Sequence, residues 1–479
     1  MLLQALKNEK LTENGAITYE STLNPLLDFF AQAGSMRNRS EQDILVLFNK
    51  ALLQDEVKAI QLLFYFRDVR GGQGERRLFK ICFKSLTRVM EISKLIPLVV
   101  EYGRYDDLYC LVGTTKEREM FEFLYKQFKE DLESEYPSLL AKWLKSENAS
   151  SKETKELAKL TRKYFRMNSK EYRKALSKLR NKLNIIERKM SNNEWSDIEY
   201  DKIPSKAGIQ YRYAFMRHDH ERYADFMKPK DDQPVKLNAR TLYPYEITNK
   251  VMYGMNETER NVLNNYWANI PDYLNGDNSN ALAVIDVSGS MTGTPMEVAI
   301  SLGLYMAERN QGPFHNHFIT FSSRPQLIEL DEDDDFVDKV NSIRDADWGF
   351  NTDIKKVFKL ILRKAVKYNM KQSDIPEIIY VISDMEFDCA VEYNNKDSLF
   401  ENIRREYAQY GYKLPHIVFW NVDSRQNNIP MVGVGNYSLV SGFSPVIFEM
   451  VMSQKSAEEV MEDVLNKDRY KKIRDILEE

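Results

Sequence analysis

Cysteine is scarce. Cys82, Cys110 and Cys389 are scattered and odd in number. They exclude a disulfide framework and predict three free, buried thiols in a reducing, intracellular (cytoplasmic) compartment. Long apolar runs are missing too. No stretch approaches the roughly 18 residues that cross a bilayer, so no membrane partner is expected. The first residues, Met1 to Leu11, show no apolar segment followed by a small-residue cleavage site, and no signal peptide is read there. Histidine is sparse, at five, and no Ser–His–Asp or Cys–His constellation is visible. The expectation is a protein that is not an enzyme.

What is present points to several domains. At roughly 150 residues per domain, 479 residues suggest two to four, and 43% apolar residues suffice for real cores. The net charge of −4 hides an asymmetry: residues 1–140 carry about −2, residues 141–240 about +11 and residues 241–479 about −13. The basic middle is a candidate surface for polyanions.

The chain first reads as helix after helix. Glu41–Lys50, Asp55–Phe66, Lys116–Lys129 and Lys152–Phe165 show apolar residues near the i, i+3, i+4 spacing. Short breaks such as Gly71-Gly72-Gln73-Gly74 separate them, the texture of stacked helical hairpins. Strand-like alternation is scarce before residue 280. Then Ala281–Val287, His317–Ser322, Glu377–Ser383 and His416–Asn421 read as buried strands, with Tyr437–Val440 as another short one. Helices alternate with them, at Pro295–Glu308, Phe336–Ile343, Asp353–Tyr368 and Asp397–Tyr410. This alternation implies a parallel sheet covered on both faces. The expected fold is multidomain, α plus α/β: a helical scaffold over 1–275, a doubly wound α/β domain over 276–450, and a helical tail over 451–479 packed on the rest.

The sequence Asp286-Val287-Ser288-Gly289-Ser290 directly follows a buried strand. A strand ending at Asp286 delivers its loop to the carboxyl edge of the sheet, where open α/β folds bind ligands. One carboxylate and two hydroxyls make an all-oxygen site, suited to a hard cation such as Mg²⁺, or another divalent ion such as Mn²⁺. Thr352, in Phe350-Asn351-Thr352-Asp353, offers a third hydroxyl. Asp384 ends a further strand at the same edge. The rival reading is that Asp286 and Asp384 merely cap helices, which leaves the paired serines unexplained. Asp353 and Asp388 fit capping or supporting hydrogen bonds better than ligation.

This pattern resembles the von Willebrand factor A-type domains. The resemblance implies that Ser288, Ser290 and Thr352 coordinate the ion, that Asp286 and Asp384 act directly or through water, and that one position is left for a ligand carboxylate or a water. Many A domains have a glycine after the aspartate, and this chain departs from them with Met385-Glu386.

Further segments include Leu11–Tyr19, Asn24–Phe30, Arg67–Arg77, Tyr102–Tyr109, Ala141–Ser151, Tyr172–Met190 and Ile203–Phe215. With Trp348–Asp353 and Ser383–Asp388, they resemble a family of uncharacterised proteins found in phages, plants and large viruses. Its helical part looks like a diverged TROVE module. More distantly the chain resembles the Ro autoantigen proteins, which pair HEAT-like helical repeats with an A domain. That resemblance implies binding of small structured RNAs or single-stranded RNA ends through the basic helical surface.

The basic segment has the composition for this. Residues 152–190 hold fourteen Lys or Arg against four acids, with Lys163, Arg166, Lys170, Arg173, Lys174, Lys178, Arg180 and Lys182 among them. Such density would track a phosphate backbone. Tyr164, Phe165 and Tyr172 interleave and could stack on unpaired bases; an ordinary solvated face with core aromatics is the competing account. The segment Arg70–Arg77 lacks phosphate-loop spacing and follows a helix. It is expected to be a tight turn whose Arg70, Arg76 and Arg77 add to the basic surface. His218 and His220 beside Asp219 lack a metal-binding partner cluster and read as surface or packing residues. The alternative function is a metal-dependent protein–protein module without nucleic-acid binding.

Overall fold

A continuous apolar run is stable as a strand only where both faces are covered, and three such runs lie side by side here. The structure, a computed structural model, describes residues 8–183, 185–230, 233–274, 279–321, 325–345, 353–387, 399–432, 436–452 and 454–479. Its strands are β1 (Glu9–Leu11), β2 (Ile17–Tyr19), β3 (Ala281–Asp286), β4 (His317–Phe321), β5 (Gln326–Glu329), β6 (Ile378–Ser383), β7 (His416–Asn421) and β8 (Tyr437–Ser441). The last six form one sheet in the order β5-β4-β3-β6-β7-β8. All neighbours are parallel except the edge pair β4–β5.

Contacts group the chain into two compact units, Met1–Leu62 with Met227–Lys471, and Leu63–Phe226 with Lys472–Glu479. The stretch 1–275, read from sequence as one helical scaffold, is shared between them.

In the first unit, alternation along β7 sends neighbouring rings to opposite faces of the sheet. Phe419 meets Phe400, at 4.7 Å between centroids. Trp420 meets Phe448, at 4.8 Å, and donates its indole N–H to the Gly442 carbonyl. The helix Thr294–Arg309 lies against β3 so closely that a Cβ on Gly303 would sit 2.1 Å from Ile285 Cδ1. Overpacking costs about 1–3 kcal/mol against roughly 1 kcal/mol of helix propensity gained. Gly303→Ala should therefore destabilise the protein by up to about 2 kcal/mol, measured as a lower urea midpoint.

Two strand regions went unread in the sequence. β5 is a short, largely exposed edge strand. The hairpin β1–β2 has three residues per arm, and Tyr19 then exchanges backbone hydrogen bonds with Ile429, at 3.0 and 2.9 Å. The chain next forms the helix Pro25–Gln32, capped by Asn24. At Gly34 it touches β8: the amide donates to Ser441 Oγ at 3.0 Å, and a Cβ would lie 2.5 Å from the Ser441 carbonyl oxygen.

The second unit is helical apart from its turns. Phe64, Phe79, Phe83 and Tyr102 form one aromatic cluster in it. Beside them Arg67 and Asp107 form a buried ion pair. Arg67 donates from Nε at 2.8 Å and Nη2 at 2.5 Å to Asp107 Oδ2. Arg76 Nε reaches Oδ1 at 2.8 Å. Gly103 leaves the room, since a Cβ there would lie 2.7 Å from Asp107 Oδ2 and 2.8 Å from Arg67 Nε. Among the described residues, no helix is long and apolar enough to cross a membrane.

Candidate functional site

The sheet reverses its winding direction at β3. The chain leaves β3 for β4 and β5 on one side, then returns to β6 on the other. The crevice between the carboxyl ends of β3 and β6 is the switch point where ligands of doubly wound sheets bind. Asp286 ends β3 and Asp384 directly follows β6, so the strand ends bring both carboxylates to that crevice.

Both are buried, and each oxygen is held. Asp286 Oδ1 accepts from the Ser288 amide at 2.9 Å, and Oδ2 from Ser383 Oγ at 2.6 Å. The hydroxyls of Ser288 and Ser290 are 2.9 Å apart. Asp384 Oδ1 accepts from the Glu386 amide at 3.1 Å, and Oδ2 from Arg425 Nη2 at 2.8 Å. The same Arg425 nitrogen donates to the Ser290 carbonyl, joining the two loops. Met385 takes φ +63°, the left-handed conformation that glycine adopts most freely.

The arrangement is short of positive charge. Burial first, then the charge of Asp384, pushes the Asp286 carboxyl up. Burial raises Asp384 as well, against the pull of Ser290, the Glu386 amide and Arg425. Glu386, also buried, is raised by burial. A divalent cation would relieve this deficit, and the oxygen donors suit a hard ion. The residues thus fit such an ion: Ser288 and Ser290 would hold it, with Asp286 and Asp384. Thr352 and Asp388 lie outside the described residues. Among the described residues no group of three or more His, Cys, Asp or Glu side chains is arranged to hold a metal, so this site depends on its hydroxyls. Asp353 caps the helix Ile354–Lys367.

Arg425 escaped the sequence reading, as did the part played by the chain's start. Thr12 Oγ1 donates to the Phe387 carbonyl at 2.6 Å, the Glu13 amide to Glu386 Oε2 at 2.8 Å, and Asn14 Nδ2 to the Glu386 carbonyl at 2.7 Å. The turn of the β1–β2 hairpin thereby holds the loop that carries Asp384.

Residues 280–478 match the family model described as a domain of unknown function, DUF7788. Residues 12–90 and 134–277 match another, DUF2828, also described as a domain of unknown function. An uncharacterised protein of Acanthamoeba polyphaga mimivirus is 28% identical over 497 residues, which cover 94% of this chain and 85% of that protein. The two family matches meet just before β3. The carboxylate site falls in the DUF7788 match, and the basic helices fall in the DUF2828 match.

Those basic helices are Lys152–Tyr164 and Ser169–Lys182, the second closed by a capping box of Asn168 and Glu171. Lys163, Arg166, Lys170, Arg173, Lys174 and Lys178 are exposed. Arg180 is drawn inward, donating to the carbonyls of Ala141 at 2.9 Å and Leu144 at 3.0 Å. Lys182 donates to the Leu132 and Ser134 carbonyls at the end of the helix Glu117–Glu133. The interleaved aromatics are mostly core: Phe165 and Tyr172 are buried, and Tyr164 stacks on Phe121 at 4.3 Å. They are not free platforms for bases.

The Gly-rich turn spends its amides internally. Gln73 donates to the Tyr65 carbonyl and Gly74 to that of Asp68. A Cβ on Gly72 would lie 2.0 Å from the Tyr65 carbonyl oxygen. Arg76 is committed to Asp106 and Asp107, while Arg70 and Arg77 are exposed. His218 stacks on Trp195 at 4.5 Å, and Asp219 accepts from Tyr200 and Arg222.

Proposed function

We propose that this chain is a non-catalytic, Ro-like RNA-binding protein. It combines a basic helical scaffold of the HEAT-like, TROVE-like kind with a von Willebrand A-type domain that holds Mg²⁺ or Mn²⁺. The observation that carries the reading is the row Lys170, Lys174 and Lys178. All three are exposed on one helix, with no ion pair or hydrogen bond among the described residues. Four-residue steps place these ammonium groups about 6 Å apart along the axis, a spacing that can follow successive phosphates. When bound, the metal would supply a Lewis-acidic position for an oxygen ligand. Ser288, Ser290, Asp286 and Asp384 hold and orient it.

Replacing Lys170, Lys174 and Lys178 together by Glu should lower the affinity for a structured RNA. It should also flatten the slope of log K against log salt by about 2–3, at roughly 0.7–0.9 per lost phosphate contact. Fluorescence anisotropy across a salt series reads both. An unchanged slope sinks the assignment of RNA to this face.

A second reading is favoured by Arg425, whose guanidinium sits at the metal site and is partly exposed. A metal ion beside an arginine suits an acidic side chain of a partner protein. Affinity for an acidic peptide that needs metal and is lost in Asp286→Ala, with no co-purifying nucleic acid, would select that reading over RNA.

A further inference from the structure

A cavity of about 540 Å³ opens in the helical unit, between the helices Leu140–Trp143, Ser169–Lys182 and Ile186–Ser191. Its volume lies in the range of small-molecule sites, roughly 300–1,000 Å³. Its charges do not balance. Two acids line it: Glu147 pairs with Arg162 at 2.9 Å and Glu187 Oε1 with Lys142 at 3.1 Å, while Glu187 Oε2 is buried without a hydrogen bond among the described residues. Three arginines also line it, and their hydrogen bonds go to backbone carbonyls, although Arg173 lies in the field of Glu147 as well. Arg173 Nε donates to Ser169, Arg180 Nε and Nη2 to Ala141 and Leu144, and Arg188 Nη1 to Asn181. Carbonyl acceptors carry no formal charge, so the cations of the lining outnumber its acids, and the two bonds of Arg180 fix its guanidinium plane. That is the chemistry of an anion site with preset geometry.

The rest of the lining adds shape and hydrogen bonding. Leu176 and Ile185 give apolar walls, and the side chains of Ser177 and Asn181 offer donors and acceptors. Asn181 lies four residues beyond Ser177, on the same face of the helix as Arg173. The lysine row 170, 174, 178 runs along the adjacent face, so a chain of phosphates on the lysines passes the rim of the cavity.

We propose that this cavity receives a single unpaired nucleotide of the bound RNA. The base sits between the apolar walls with its edge toward Ser177 and Asn181, and its phosphate meets Arg173 and Arg188. The proposal rests on the RNA-binding reading and adds to it a preference for RNA with an extruded base, which pays little to unstack.

The test uses the full chain and two RNA hairpins, one fully paired and one with a single-nucleotide bulge. The wild type should bind the bulged hairpin about tenfold more tightly, the equivalent of about 1.4 kcal/mol. Ser177→Trp, on an exposed position of the helix, fills the cavity and should bring that ratio to about one. Arg188→Gln should reduce it as well, and it serves if the tryptophan variant fails to fold by circular dichroism. A wild-type ratio of one, or a ratio that survives both variants, overturns the cavity assignment while leaving RNA binding intact. No binding of either hairpin overturns both. Binding of adenosine 5′-monophosphate without either RNA would mark a free-nucleotide site and likewise overturn the proposal.

Discussion

Arg67→Met should cost the protein about 3 kcal/mol of stability, the low end of the roughly 3–5 kcal/mol for removing one partner of a buried ion pair. The substitution leaves Asp107 buried with the more exposed Arg76 as its main remaining cation. Burial alone would raise the Asp107 carboxyl, but Arg67 and Arg76 outweigh it and hold it below the usual aspartate range. A depressed carboxylate contributes stability that is present above its unfolded pKa, about 3.9. That contribution is lost as pH falls through the folded value. The variant should therefore lose most against wild type at neutral pH, and the gap should narrow in acid. Urea unfolding at neutral and acidic pH measures both. Arg67→Met combined with Asp107→Leu should recover much of the loss, because the buried charge is gone. A double variant as unstable as the single one would show that packing, not charge, explains the effect.

Magnesium or manganese titration of Asp286→Ala should show no binding, and Arg425→Gln should bind ten- to a hundredfold more tightly than wild type. The second figure corresponds to about 1.4–2.8 kcal/mol. Arg425 already holds Asp384 Oδ2 at 2.8 Å and bridges to the Ser290 carbonyl. An incoming dication meets a fixed positive charge close by and competes with it for a carboxylate oxygen. Calorimetry decides the matter. Weaker metal binding by Arg425→Gln would mean that the arginine braces the site and does not compete for it.

Much of this fold is written locally. β3, β6 and β7 are buried along their whole length because both faces are covered, and each carries an apolar run long enough to stand out. β5 and the β1–β2 hairpin are three or four residues long and partly exposed, so no alternation could build up. The Asp286–Ser290 cluster was legible because its groups are adjacent in the chain, and Asp384 because it directly follows a strand. Arg425 arrives from a loop 41 residues past Asp384, and nothing in its neighbours marks it. The aromatics of the basic segment show the limit of composition. Helical spacing puts Phe165 and Tyr172 among lysines and arginines, but whether a ring faces solvent or core depends on which helices pack against it. Here Phe121, Tyr125 and Phe128 of a preceding helix claim that side.

The first unit is assembled from two separated stretches of chain, and this bears on how it is made. Thr18 Oγ1 donates to a carbonyl 411 residues further on, at Ile429. At ribosomal rates of about 5–20 residues per second, the β1–β2 hairpin emerges roughly 20–80 s before that partner exists. Residues 63–226 emerge in the interval and can make contacts of their own, which Lys472–Glu479 complete last. The helix Pro25–Gln32 can pack early on the helix Glu41–Gln54, as Phe29 does on Phe48, but its side toward β8 and the hairpin's bonds to Ile429 must wait until the last strands of the sheet leave the ribosome.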